Sequence, residues 1–138
     1  MNTDHALAHG LARLGLGMNI ALHGLTRIPN LRAFNIGLQD QFANTFLHPD
    51  LVYASGYLIA WGEAILGVLL VLGLFLRPTL VAGTLLMILL TTGSCLIQNW
   101  ASAGMQLPYI AFYAALLATA SKDRFSLDHL IARRKGNL

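Results

Sequence analysis

Six polar or aromatic residues could do chemistry in this otherwise apolar chain of 138 residues: Asn19, His23, Arg27, Glu63, Gln98 and Trp100. Glu63 poses the sharpest problem. It is the only glutamate, and it sits near the middle of VYASGYLIAWGEAILGVLLVLGLFL, residues 52–76. As a helix this run measures roughly 37 Å, more than the ~30 Å hydrocarbon core of a bilayer. A carboxylate at that depth costs on the order of 3 kcal/mol or more unless it is protonated, paired or turned to a wet cavity. Another element must therefore bring it a partner. A buried carboxyl beside an imidazole is a proton-exchange pair, which makes His23 one candidate.

The element that must supply the partner is the first helix. Gly15, Asn19, His23 and Arg27 recur at every fourth position, which places them on one face. Lipid cannot solvate such a face, so it turns to the interior or to a water-filled cavity. Levelling the midpoints of two antiparallel helices sets Glu63 opposite about Gly17, with Asn19 nearest in depth. Arg13 then lies roughly 6 Å further in and His23 roughly 9 Å further out. A network of Glu63 with Arg13 or Asn19 would fix helix register, whereas Glu63 with His23 would line a ligand pocket. Gln98, Trp100 and Gln106 are expected near the same outer mouth, although a tryptophan at a helix end also serves as an interfacial anchor.

The composition supports a membrane setting. Hydrophobic residues make up 56% and charged residues 11%, against about 25% charged in soluble domains. The net charge of +3 is carried at expected membrane boundaries, so a nucleic-acid partner is not indicated. Cys95 is the single cysteine, which excludes an intrachain disulfide or a CxxC pair and is read as a buried thiol. No haem or metal is expected. His23 lacks a second histidine at helical spacing, and His5 with His9 is read as lying on a frayed terminus without a third ligand.

The fold class expected is an all-α integral membrane protein, one domain over 1–138. Four transmembrane helices are expected at about 9–28, 52–76, 79–98 and 106–121. The first segment lacks a basic n-region and is interrupted by Arg13 and Asn19, so it is read as a retained helix and not a signal peptide. Between the first two spans, LRAFNIGLQDQFANTFLHPD carries Leu31, Phe34, Leu38, Phe42 and Phe46 at helical steps, predicting an interfacial or re-entrant helix. In the third span Gly83 and Gly93 allow close approach, Thr84 and Thr91 lie on an interhelical face, and Leu85, Leu89 and Leu96 meet lipid. The tail holds Lys122, Arg124, Arg133, Arg134 and Lys135, the 2–3 hairpin holds Arg77, and the 3–4 linker holds no Lys or Arg. Both termini are thus expected in the cytoplasm of a bacterial inner membrane. Arg27 and Arg32 oppose this unless they are paired. Asp128 is read as capping or pinning the tail segment SLDHLIARR.

Taken together, HGLTRIP, GYLIAWGEAILGVLLVLGLFLR, GSCLIQNW, QLPYIAFYAALL and FSLD resemble the DoxX family in order. The likeness is strongest to the branch near DoxD, the small subunit of thiosulfate:quinone oxidoreductase, and the MauE-like proteins. The most specific piece is Gly62, Glu63, Gly67, Leu69, Leu70, Leu72, Gly73, Leu74 and Arg77. The resemblance implies a four-helix membrane bundle that partners other subunits of a redox complex or forms a homo-oligomer, and that in some members hands electrons to quinone. No catalytic residue is assigned to this chain. The cofactor expected is a quinone, held by Glu63 and His23 with Asn19, Arg27, Gln98 and Trp100. The alternative is an interaction subunit without redox chemistry; a solute carrier is disfavoured by the lack of an inverted repeat.

Overall fold

The computed structural model describes residues 3–136, and among them every regular element is helical. In order they are α1 (Thr3–Arg27), α2 (Leu31–Phe42), α3 (Pro49–Leu72), α4 (Leu76–Leu96), α5 (Trp100–Ala118) and α6 (Leu127–Lys135), with 3-10 turns at Ile28–Asn30 and Ala120–Lys122. Three of these, α3, α4 and α5, are long and apolar enough to cross a membrane. In their most apolar windows only 39, 28 and 17% of residues are buried, so most of their apolar surface faces outward, as a lipid setting requires.

Helix ends follow local chemistry. At α3, Pro49 occupies the first turn, where a missing N–H costs nothing, and Gly73 ends the helix in the left-handed region at φ 67°. That conformation favours glycine, and Ser126 packs so closely on Gly73 that a side chain would overlap it. At α5, Asn99 accepts a hydrogen bond from Ser102 N at 3.1 Å and starts the helix at Trp100. The helix expected from about 106 starts earlier here, so Pro108 lies in its interior and the helix runs through it, forgoing one backbone bond. The first helix likewise begins at Thr3, well before residue 9, so His9 is buried within it. The frayed terminus expected there is not observed.

Packing is organised in two pairs. Helix α1 lies along α3 and α5 along α4, whereas α1 and α5 meet only sparsely. The α1–α3 contact depends on missing side chains: a Cβ at Gly67 would overlap the Ala21 backbone, and one at Gly24 would overlap Ala60 and Ala64. Further in, a Cβ at Gly17 would come within 2.8 Å of Val71 N. These contacts set the register about two helical turns away from the one inferred by levelling midpoints, and Glu63 lies beside Gly24, not Gly17. Leu16, Ile20, Leu70, Leu80, Met87, Tyr113 and Leu116 form the apolar core between the pairs.

Helix α2 covers the outer end. Leu31, Phe34, Leu38 and Phe42 are partly buried along it, and Asn35 is fully buried over Gly56. Phe42 also approaches Gly93 of α4. Phe46, expected to continue this stripe, lies beyond the helix and is 84% exposed. Leu85, Leu89 and Leu96 face outward as expected, while Thr84 and Thr91 donate to carbonyls of their own helix, Leu80 and Met87.

Replacing Gly67 by leucine should push α1 off α3 and destabilise the detergent-solubilised protein by about 3 kcal/mol or more. Gly15→Ala and Gly37→Ala, where an added Cβ meets nothing within 4 Å, should be neutral or stabilising by up to about 1 kcal/mol. Equilibrium unfolding of the three variants in mixed micelles measures the contrast.

Candidate functional site

Two polar clusters occupy opposite ends of the bundle. At the inner end, Arg13 is 3% exposed and its guanidinium donates to the carbonyls of Leu70, of Val71 at 3.0 Å and of Phe125 at 3.0 Å. It thereby satisfies the C-terminal carbonyls of α3, which have no partner within the helix. Asp123 lies 3.9 Å from its Nε. The Asp128 carboxylate accepts from Phe75 N at 3.0 Å and Leu76 N at 2.8 Å, capping α4, and its own N–H donates to the Gly73 carbonyl at 3.1 Å. Ser126 caps α6 by accepting from His129 N at 3.1 Å. The FSLD tetrapeptide thus ties the tail to the α3–α4 turn. His9 joins the same end through Thr119, with Nδ1 2.9 Å from Oγ1. Arg13 and Asp128 are thus engaged mainly with backbone, while His9 Nε2, Arg13 Nε and Asp123 Oδ1 are buried without a hydrogen-bond partner. A cavity of about 390 Å³ lies at this end, lined among others by Arg77, Asp123, Asp128 and His129.

The outer cluster differs. Glu63 is 2% exposed, and its Oε2 accepts from Arg27 Nη1. Arg27 is the partner, in place of the Arg13, Asn19 or His23 considered from the sequence. The glycine contacts explain the change, because they bring the last turn of α1 level with Glu63. The Arg27 side chain remains 30% exposed, and its guanidinium lies over the Phe34 ring at 4.9 Å from the centroid. Helix α2 therefore covers the cation, and the pair joins α1, α2 and α3.

Beside this pair is a cavity of about 200 Å³. Asn19, Ile20, His23 and Arg27 line it from α1, Glu63 from α3, Met87 and Leu90 from α4, and Ser102, Met105, Gln106 and Tyr109 from α5. His23 Nδ1 lies 2.8 Å from the Asn19 carbonyl of its own helix. The Tyr109 hydroxyl donates to Asn19 Oδ1 at 3.1 Å, one of the polar links between α1 and α5. Gln106 Oε1 is buried without a hydrogen-bond partner. Four of the six residues singled out in the sequence, Asn19, His23, Arg27 and Glu63, therefore meet at one cavity.

Gln98 and Trp100 do not join it. Gln98 occupies the α4–α5 turn with φ 56°, and Trp100 is 66% exposed at the start of α5. Both lie outward because the turn tightens immediately after α4, and Trp100 has the placement of an interfacial anchor. The sequence reading missed Ser102 and Tyr109. Ser102, Gln106, Tyr109 and Tyr113 follow one another at steps of four, three and four, a helical stripe of which only Ser102 falls outside the helix expected from about 106.

A double-mutant cycle of Arg27→Met and Glu63→Gln should return a coupling energy on the order of 2 kcal/mol in unfolding experiments, because each single change strands a charge or its partner at low dielectric. Additivity within about 0.5 kcal/mol would mean that the pair does not hold α1 to α3.

The chain matches the family model of methylamine utilisation protein MauE over residues 6–108. Neither a curated protein nor a solved structure matches it. The matched stretch runs from the first buried turn of α1 to Pro108 within α5, and it contains the Glu63–Arg27 pair and most of the cavity wall. This chain belongs to the MauE family of membrane proteins.

Proposed function

We propose that this chain is a multi-pass membrane subunit of a quinone-linked redox system, and that the outer cavity receives a quinone headgroup. The observation that carries this reading is the buried Glu63–Arg27 pair set in the wall of an open cavity. The pair borders space lined by further polar groups and by Ile20, Met87, Leu90 and Met105. A volume of about 200 Å³ lies below the range of drug-sized ligands and suits a single substituted ring. The contact between α1 and α5 is sparse, and an apolar tail would pass to lipid along that seam. Hydrogen-bonding groups above an apolar floor suit a ring that carries oxygen on its edge.

The membrane arrangement that goes with this reading has four spans, α1 being the fourth. Its 25 residues reach roughly 37 Å, and Asn19, His23 and Arg27 turn to the cavity. With Arg27 paired, its positive charge no longer opposes the orientation set by Lys122, Arg124, Arg133, Arg134 and Lys135, which puts both termini in the cytoplasm of a bacterial inner membrane. The methylamine utilisation of the family description, and the likeness to DoxX and DoxD seen in the sequence, agree with a redox setting and with other subunits, or a second copy, as partners. A second reading, a structural interaction subunit, draws on the same ion pair as a fastener of α1 to α3.

Binding of a short-chain benzoquinone to the protein in lipid nanodiscs separates the two. Gln106→Leu and Glu63→Gln should each weaken binding about ten-fold or more, while the outward-facing Leu85→Ala leaves it unchanged. Unaltered binding by a folded Gln106→Leu and Glu63→Gln would overturn the quinone site. A structural subunit would bind no quinone and would instead be released from its assembly by Gly67→Leu.

A further inference from the structure

Among the described residues no other element packs along α6, and none of the nine residues of this helix is buried. Leu127, Leu130 and Ile131 are 37, 51 and 45% exposed. At the helical step of about 100° per residue these three fall on one side, within about 100° of arc. Arg134 follows in line with them one turn on, and Arg133 and Lys135 lie to either side of it, while His129 and Ala132 occupy the opposite side. The helix dipole favours cations in this last turn but does not account for an uncovered apolar stripe. A helix of this length is marginal in water on its own. Here only its first turn is tied down, by the Ser126 cap and by Asp128 on the α3–α4 turn.

That turn joins two helices that are each long and apolar enough to cross a membrane, so α6 starts at the depth where the hydrocarbon ends. Phe75 and Phe125, beside the junction, are 67 and 58% exposed. Charge in the tail is segregated. Arg124, Arg133, Arg134 and Lys135 are exposed and Lys122 is half-buried. The two carboxylates between 122 and 135 are otherwise engaged: the Asp123 side chain is 6% exposed beside Arg13, and Asp128 accepts from Phe75 N and Leu76 N. The surface that remains outward is an apolar stripe flanked by cations, the pattern of a helix that lies in a bilayer interface. The cavity at this end carries Asp123 and Asp128 in its wall, which disfavours a phosphate there, so anionic groups are met by the outer side of the helix.

We propose that α6 lies along the membrane surface at the inner end of the bundle, with Leu127, Leu130 and Ile131 seated among acyl chains and Arg133, Arg134 and Lys135 holding anionic phospholipid headgroups. The long stem of Arg134 lets it continue the apolar stripe while its guanidinium returns to the phosphate level. This surface is separate from the outer cavity and does not rest on the quinone reading.

The test uses the whole protein with Cys95→Ser and a spin label on a cysteine at one of two positions, Ile131→Cys on the stripe or Ala132→Cys opposite it. Collision with oxygen, which enters lipid, and with a water-soluble nickel chelate is measured in nanodiscs of phosphatidylcholine with and without phosphatidylglycerol. In the anionic discs the label at 131 should meet oxygen and be shielded from nickel, and the label at 132 should show the reverse. Replacing Arg133, Arg134 and Lys135 by glutamine should lower the equilibrium constant for the surface-bound helix about five-fold per cation removed, read from the shielded fraction at 131. Omitting phosphatidylglycerol should release the helix likewise, as should raising salt to about 1 M, which shortens the Debye length from ~10 Å at about 0.1 M to ~3 Å. Equal nickel access at 131 and 132 in the anionic discs would overturn the proposal. Shielding at 131 that persists unchanged in neutral discs and after the charge removal would overturn the anionic recognition. Shielding at 131 from both oxygen and nickel would show that a protein surface, and not lipid, covers the stripe, and would overturn it too.

Discussion

The close approach of α1 to α3 is the constraint from which the rest of the bundle follows. Gly67 against Ala21, and Gly24 against Ala60 and Ala64, bring two backbones together where a single added carbon would overlap them. Such contact exists in one register. A slip by one turn, about 5.4 Å, would drive side chains into backbone and carry Arg27 away from Glu63. Left alone at that depth, the carboxylate would cost on the order of 3 kcal/mol or more. Packing and electrostatics therefore select the same alignment. This agreement lets a membrane bundle hold a charge in its interior without an ill-defined structure around it.

The two ends use charge differently. At the inner end a cation, Arg13, meets the C-terminus of α3 and an anion, Asp128, meets the N-terminus of α4, each matched to the helix dipole it faces. Both find their partners in backbone atoms. At the outer end Arg27 and Glu63 satisfy each other beside a cavity, and Gln106 Oε1 is buried there without a donor. Buried atoms without a partner occur at the inner end as well, His9 Nε2, Arg13 Nε and Asp123 Oδ1, so the outer end is set apart by an ion pair between side chains of two helices in the wall of its cavity.

Much of this was legible from residue types and spacing. The apolar runs, the hairpin between α3 and α4, the inward stripe of α2 and the face bearing Asn19, His23 and Arg27 all follow from hydrophobic period and turn residues. The partner of Glu63 did not. Depth was judged from the midpoints of apolar runs, but register is decided where backbones touch, and glycine spacing on one helix does not say which residue of another it will meet. Ser102 was hidden for a local reason: the helix expected from about 106 is capped by Asn99 and starts at Trp100, and the one backbone bond lost at Pro108 is tolerated inside a packed bundle. Gln98 and Trp100 were placed by chain proximity alone, which a tight turn reverses.

The match to the MauE family adds a constraint of its own. It spans α1 through the first half of α5, so it holds nearly the whole outer cavity and, of the inner knot, His9, Arg13 and the α3–α4 turn, but stops before Thr119, Asp123, Ser126 and Asp128. The family architecture is thus carried by α1 to α4 and the start of α5. Within that set α1 packs along α3 and α5 along α4, and α1 meets α5 only sparsely, where Tyr109 reaches Asn19. The cavity lies beside that thin seam, and the polar side chains of α1, α3 and α5 gather around it, as groups that lipid cannot solvate must.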